Sequence, residues 1–385
     1  MKQKVLKAAA CLTAVMAAAV FPLSVPKSAW LGAPITAFAD GEDEEFTEGQ
    51  SGDLYYKKYS DHIVITGGNW QAASVTIPSE IDSLPVTKIG DSAFTYFSLT
   101  SVTLPDSLAE IAQYAFCGCT NLSSVTFPDS LKRVDFQAFD ECSALAEVNF
   151  PDHLVETSSN TFRGTPWLEA QRKVNSLVIV NGALIDGQTC KGDVTVPAGV
   201  KYVAGSAFAY NTDLTSVVLP SSAATVEANV FNGCEKLTSA TLKGVTDLDY
   251  GTFAECSLLT DLKLSGKLTH INYGTFEENN ATATITFYGT EDTWKAVERD
   301  PEDAFLNRAK MVFDPNGSEP DEPGDEPVIG DINKDGACDM SDAVLLMGWL
   351  LKEDVTLADW EAGDMNKDGR LTAADFTLLK RHLLA

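Results

Sequence analysis

Two twelve-residue stretches concentrate the side chains best suited to chemistry, Asp331 to Asp342 and Asp364 to Asp375, and they lie 33 residues apart. Each places oxygen donors at loop positions 1, 3, 5 and 12, glycine at 6 and an apolar residue at 8. That pattern wraps a hard divalent cation in six to eight oxygens. The first loop offers Asp331, Asn333, Asp335, the Ala337 carbonyl, Asp339 and Asp342. The second offers Asp364, Asn366, Asp368, the Arg370 carbonyl, Thr372 acting through a water, and Asp375. The set predicts two Ca²⁺ ions.

Position 12 is Asp in both loops, and only linker or a glycine precedes them, with no helix former. An apolar helix is expected after each, over 342–351 and 375–384. This combination resembles a type I dockerin over 329–385, with the closest likeness in 363–383. The resemblance implies a small all-α calcium-binding domain whose partner is a cohesin module of a scaffoldin. It also implies that partner contacts fall on Met340, Ser341, Met347, Gly348 and Lys352 in the first copy, and on Ala373, Ala374, Lys380 and Arg381 in the second. These two faces differ chemically, so one copy is expected to dominate. A module of under 60 residues also needs metal to fold.

The bulk of the chain is a repeat. Leu99, Val102, Leu104 and Pro105 recur as Leu122, Val125, Phe127 and Pro128, as Leu145, Val148, Phe150 and Pro151, and as Leu214, Val217, Leu219 and Pro220. A second landmark is a phenylalanine at 94, 116, 139, 162, 208, 231, 253 and 276, giving spacings of 22 or 23 residues and one double step of 46. Each unit alternates as a half-buried strand does, and proline ends it by lacking an N–H. A further apolar position, Ile89, Ile111, Val134, Val203, Val226 and Ile271, precedes its phenylalanine by five. One unit cannot bury enough to offset the entropy of ordering, so the units must stack into a solenoid.

The pattern resembles the short bacterial surface-antigen type of leucine-rich repeat over 54–314. That implies a mainly β solenoid with one parallel sheet, used at cell surfaces for adhesion or protein binding. The outward sheet residues, from Ser74, Thr76, Ser101 and Thr103 through Glu147 and Asn149 to Thr241, Asp261 and Lys263, suit protein or glycan hydrogen bonding, and equally a solvated β-face. The last recognisable strand falls in 282–289, and a helix around Trp294 is expected to cover the open end.

The rest of the chain frames these modules. Residues 1–39 read as a signal peptide: Lys2, Lys4 and Lys7, an apolar run from Ala8 to Leu23, and Ala37 and Ala39 as the small residues of a cleavage site. A membrane anchor is the alternative, interrupted by Pro22, Pro26 and Pro34. Residues 40–53 read as an acidic disordered lead-in, and 315–328 as a Pro- and acid-rich linker. An irregular unit at 163–190 is expected to hold a helix to Lys173 and an Asn181-Gly182 hairpin, either as a binding site or as a decayed repeat.

Formal charge is −27, and loss of four lysines with residues 1–39 makes it −31. Such acidity argues against nucleic acid as partner. Cys119, Cys142, Cys234 and Cys256 each follow their phenylalanine by three, which allows disulfides between coils or a column of buried thiols. Four histidines, His62, His153, His270 and His382, are scattered, and no nucleophile elbow, zinc-protease helix or phosphate loop occurs. The chain thus reads as a non-catalytic, secreted component, extracellular or held at the cell surface through scaffoldin and not membrane-spanning. The alternative is a polysaccharide-degrading enzyme or enzyme inhibitor built on the solenoid.

Overall fold

The computed structural model describes residues 45–315, 330–333, 338–351, 357, 360–366 and 370–383. The expected signal peptide and the body of the linker lie outside them, as do Asp335, Ala337, Lys352 and Asp368. Residues 45–315 form a stacked series of short coils that contribute strands to two parallel lines.

The first line carries the recurrent Leu-x-x-Val segment. Ser74–Thr76 pairs in parallel with Ser101–Thr103, and Ser124–Thr126 with Glu147–Asn149. Farther on, Gly192–Thr195, Leu214–Leu219, Ser239–Leu242, Asp261–Leu264, Thr284–Phe287 and Lys310–Phe313 form one six-stranded sheet. A second line, unforeseen in the sequence, is built from two-residue strands at the Ile/Val landmark. Glu110–Ile111, Arg133–Val134 and Glu156–Thr157 pair in parallel, as do Asp247–Leu248, His270–Ile271 and Glu298–Arg299. The expectation of one sheet is therefore corrected to two lines of strands flanking each coil.

Phenylalanines fill the space between the lines. Phe94, Phe116, Phe139 and Phe162 stack with ring centroids 5.3, 5.1 and 5.8 Å apart. Phe208, Phe231, Phe253 and Phe276 form a second stack at 5.3, 5.3 and 5.8 Å. The turn around each ring locks to the next coil, since Phe94, Phe116 and Phe139 donate their N–H groups to Ala115, Ala138 and Thr161 carbonyls. The turn also needs the left-handed backbone two residues before and two after each phenylalanine, as at Tyr114, Asn160, Glu141 and Tyr210. Gly118, Gly164, Gly233, Gly251 and Gly274 occupy the same positions in other coils. A side chain there costs about 1–2 kcal/mol in backbone strain.

The thiols follow the same register. Cys119, Cys142, Cys234 and Cys256 are free and buried, and each Sγ donates to the preceding ring residue's carbonyl, Phe94, Phe116, Phe208 or Phe231, at 3.1 Å. Asn279 fills the equivalent place on Phe253 at 3.3 Å. The column is one of hydrogen-bonded thiols.

Both ends differ from expectation. Thr47–Ser51, inside the segment expected to be disordered, is a strand that pairs antiparallel with Leu54–Lys58, which pairs in turn with Ile63–Gly68. This meander covers the first coil's edge. At the other end the Glu291–Ala296 helix buries Trp294 without ending the solenoid. One more coil follows: Phe305 stacks on Phe276 at 4.3 Å, and Lys310–Phe313 pairs with Thr284–Phe287.

The irregular unit supplies the Pro166–Val174 helix, capped by Thr165, and a hairpin of Val178–Val180 with Ala183–Asp186. Asn181 and Gly182 have φ of 49° and 81°, the left-handed pair that a tight hairpin turn requires. It divides the apolar interior into two clusters, one ending at Val178 and one beginning at Leu184.

Candidate functional site: the calcium loops and the solenoid surface

The C-terminal module packs the Met340–Leu350 and Ala373–Leu383 helices around Ile332, Ala343, Leu346 and Leu379. Both helices start two residues earlier than expected. A short helix, Trp360–Gly363, precedes the second loop, contrary to expectation, because Glu361 and Ala362 are good helix formers. Gly330 has φ of 93°, and a Cβ there would lie 2.5 Å from the Cys338 sulfur.

Position 12 organises each loop. Asp342 is fully buried; its Oδ1 accepts from the Ile332 and Asn333 N–H groups at 2.7 and 3.1 Å, and its Oδ2 from the Asp339 N–H at 2.8 Å. Asp339 in turn caps the helix, accepting from the Ser341 N–H at 2.7 Å. Asp375 repeats the arrangement. Its Oδ1 accepts from Asn366 N–H at 3.2 Å, and its Oδ2 from the Thr372 N–H and hydroxyl at 2.8 and 2.9 Å. Thr372, expected to act through water, turns its hydroxyl onto Asp375.

Asp331 and Asp364 at position 1 are buried as well. Two buried carboxylates per loop, with amide and hydroxyl oxygens beside them, form an oxygen-only donor set of the kind a hard cation takes. The Cys338 sulfur, at position 8 of the first loop, lies against Gly330. Among the described residues no group of three or more His, Cys, Asp or Glu converges on a metal-sized point, and Asp335, Ala337 and Asp368 fall outside them. Asn333 points its Nδ2 at the Ser341 hydroxyl, 2.9 Å away, and Asn366 and Arg370 are exposed.

The two expected partner faces separate clearly. In the first copy Met340, Ser341 and Met347 are exposed, whereas Gly348 is buried in the helix and so is removed from that face. Val344 and Leu351, not anticipated, are exposed too. Met340, Val344, Met347 and Leu351 follow the four-, three- and four-residue spacing of one helical stripe. In the second copy Ala373, Ala374, Lys380 and Arg381 are exposed, and Lys380 Nζ lies 5.4 Å from the Phe376 ring centre. One face is apolar and the other is basic.

On the solenoid, Ser74, Thr76, Ser101, Thr103, Glu147 and Asn149 are exposed as expected, but Thr241 is buried. The irregular unit brings Arg163 and Arg172 to one shallow pocket with Asp186 and Gln188. Both guanidinium groups are already matched, Arg163 to Asp140 at 2.8 and 2.6 Å and Arg172 to Asp186 at 2.9 and 2.6 Å. Burial still pushes the Asp186 carboxyl up. The first pair ties the insert to the preceding coil, and the second ties the insert's helix to its own hairpin. His62 meets Asp61, His153 the Leu131 carbonyl, and His270 Asp247. Among the described residues no helix is long and apolar enough to cross a membrane.

Comparison with known families finds two models along the chain. Residues 69–183 and 188–297 match the family model described as BspA type leucine rich repeat region, in six copies. Residues 329–384 match the type I dockerin domain, a calcium-binding class. Neither model describes a catalytic domain. No curated protein matches the chain.

Among solved structures, a leucine-rich repeat protein of T. pallidum is 28% identical, over 56% of this chain and 87% of that one, with a TM-score of 0.30. One from Bacteroides capillosus is 29% identical, over 31% of this chain and 93% of that one, with a TM-score of 0.29. One from Bacteroides ovatus is 22% identical, over 71% and 67%, with a TM-score of 0.33.

Proposed function

Because the chain belongs to the BspA-type leucine-rich repeat family and carries a type I dockerin domain at 329–384, we propose that it is a non-catalytic extracellular component. It docks on a scaffoldin cohesin through its C-terminal module and presents the solenoid to a protein or glycan. Two Ca²⁺ ions, one per loop, would link Asp331 to Asp342 and Asp364 to Asp375, and so fix the start of each exposed helix. The expected leader at 1–39 fits export.

The observation that carries the docking reading is the exposed stripe of Met340, Val344, Met347 and Leu351 beside a metal loop. Apolar side chains presented together on a small helix mark a protein contact, because their burial supplies most of the binding energy. The basic second-copy face, with Lys380 and Arg381, contributes rim contacts that weigh less. This asymmetry supports one dominant orientation on the cohesin.

The test is affinity for immobilised cohesin modules, comparing Val344→Ala with Met347→Ala combined against Lys380→Ala with Arg381→Ala combined. We expect the first pair to weaken binding at least tenfold and the second by a few-fold. Equal losses would contradict a dominant first-copy face, and absence of binding to any cohesin would overturn the docking role.

A further inference from the structure

The solenoid's phenylalanine turns carry exposed tyrosines on an edge distinct from both strand lines. Tyr210 and Tyr273 are 68% and 69% exposed, and Tyr250 is 39% exposed. Tyr210 follows its core phenylalanine by two residues, and Tyr250 and Tyr273 precede theirs by three, on three coils of the C-terminal half. The Tyr250 hydroxyl reaches across to Glu277 Oε2 at 2.7 Å on the next turn, and Tyr210 lies near Glu255 two turns on, so these rings run along the acidic rim of the turns.

Two of the rings lie against a glycine of the next coil. A Cβ on Gly233 would stand 2.5 Å from the Tyr210 ring, and one on Gly274 would stand 2.5 Å from the Tyr250 ring. Each ring therefore packs on one side against the bare backbone of the next coil and is otherwise open to solvent. Tyr210 also sits at φ 58°, where Gly118, Gly164 and Gly233 serve the corresponding turns. A bulky side chain in that conformation is an outlier. Other side chains take this turn conformation too, Glu255 and Glu278 at φ 57° and 54° among them, so it is the exposed ring, not the backbone, that marks the position.

The surroundings select the ligand. Glu255, Glu277 and Glu278 are exposed on the same turns, so anionic chains are repelled. Carboxylates accept from hydroxyl groups, and the phenols stay protonated: partial burial and nearby Glu255 push the Tyr210 phenol up, and partial burial together with Glu277, which accepts the hydrogen bond of the Tyr250 hydroxyl, pushes that of Tyr250 up to about 12. Coils repeat at about 4.8 Å, so the tyrosines span about 15 Å along the axis. A ligand that reaches all three is an extended chain with apolar C–H faces and a hydroxyl rim.

We propose that the edge carrying Tyr210, Tyr250 and Tyr273 is a binding platform for a neutral polysaccharide chain, its sugar rings stacked on the tyrosine faces. This rests on the reading of the solenoid as a presenting surface and names its ligand class and site. The platform lies on the phenylalanine turns, away from the Ser/Thr sheet face.

The test is affinity electrophoresis of the full chain in gels containing xyloglucan, arabinoxylan, mixed-linkage β-glucan or polygalacturonate. Wild type is compared with Tyr210→Gly combined with Tyr273→Ala. The glycine substitution removes the ring while easing the backbone, and unchanged cohesin capture by the variant confirms an intact docking module independently. We expect at least one neutral polysaccharide to retard wild type, the variant to bind at least tenfold more weakly, and 0.5 M NaCl to leave retardation intact. No retardation by any neutral polysaccharide, equal retardation of the variant, or retardation by polygalacturonate alone would overturn the proposal. So would retention by a poly-lysine matrix alone that salt abolishes, which would mark an acidic protein-docking edge instead.

Discussion

Phe139 shows how much one side chain carries in this solenoid. It is fully buried and stacks on Phe116 and Phe162 at 5.1 and 5.8 Å, so Phe139→Ala opens a gap between two coils at once. Truncating a buried phenylalanine costs about 3–5 kcal/mol, and the urea midpoint of the solenoid is expected to fall accordingly. A shift within error would refute the stacked column as a stabilising spine. Thiols beside it should be inert. Burial pushes Cys119 up to about 12 and pushes Cys142 and Cys256 up as well. Since the thiolate is the reactive species, iodoacetamide at pH 8 should leave these three unmodified in native protein and label them after denaturation. Native labelling, or a disulfide between them in a peptide map, would contradict the hydrogen-bonded column. Their register was legible because cysteine recurs three residues after phenylalanine; the choice between thiol and disulfide needed the Phe94, Phe116 and Phe231 carbonyls that receive each Sγ.

The irregular unit makes two apolar blocks out of one solenoid, and polar groups join them. Arg133 Nη2 donates to Glu227 Oε1 at 3.1 Å, Ser158 to Glu227 Oε2 at 3.0 Å, and the Tyr202 hydroxyl to the Thr157 carbonyl at 3.1 Å. Burial pushes the Glu227 carboxyl up even beside Arg133. Burial likewise opposes charge on Arg133, but the carboxylates of Glu227, Asp135 and Glu156 hold it protonated. Desolvation thus offsets much of the attraction, and the pair acts chiefly to fix the junction. Arg133→Ala leaves Glu227 buried without its cation, a loss of about 3–5 kcal/mol. We expect urea unfolding followed by tryptophan fluorescence to split into two steps; one unshifted transition would show that the blocks do not depend on this tie.

Repeat strands, the Pro166–Val174 helix and the Asn181-Gly182 hairpin were legible because each rests on local periodicity or turn chemistry. The second line of strands was not, since two residues are too few to show alternation. Its signal lay in the Ile/Val landmark. The final coil was hidden because helices at 291–296 and 304–308 replace the usual spacing, although Phe305 keeps its place on Phe276. The left-handed turn positions had a trace in Gly118, Gly233, Gly251 and Gly274, but Tyr210 in the same conformation gives none.

At the scale of the molecule, the two modules differ in what holds them together. The solenoid has a long apolar interior, while the C-terminal module buries Ile332, Ala343, Leu346 and Leu379 beside four carboxylates. A cation that binds only the folded form adds about 2.7 kcal/mol at one hundred times its dissociation constant. Calorimetry should therefore show one transition that rises with Ca²⁺ and falls with EGTA, and a solenoid transition that does neither. Movement of both would mean that metal acts outside the two loops. For the candidate site, donor identity and spacing revealed both loops, whereas the burial of Gly348 and the exposure of Val344 and Leu351 depend on how the two helices pack. Capture of the full chain on a scaffoldin cohesin across a range of free Ca²⁺ tests the central claim most directly. Binding should appear with Ca²⁺, vanish in EGTA and return on adding the ion back; equal capture with and without chelator would contradict it.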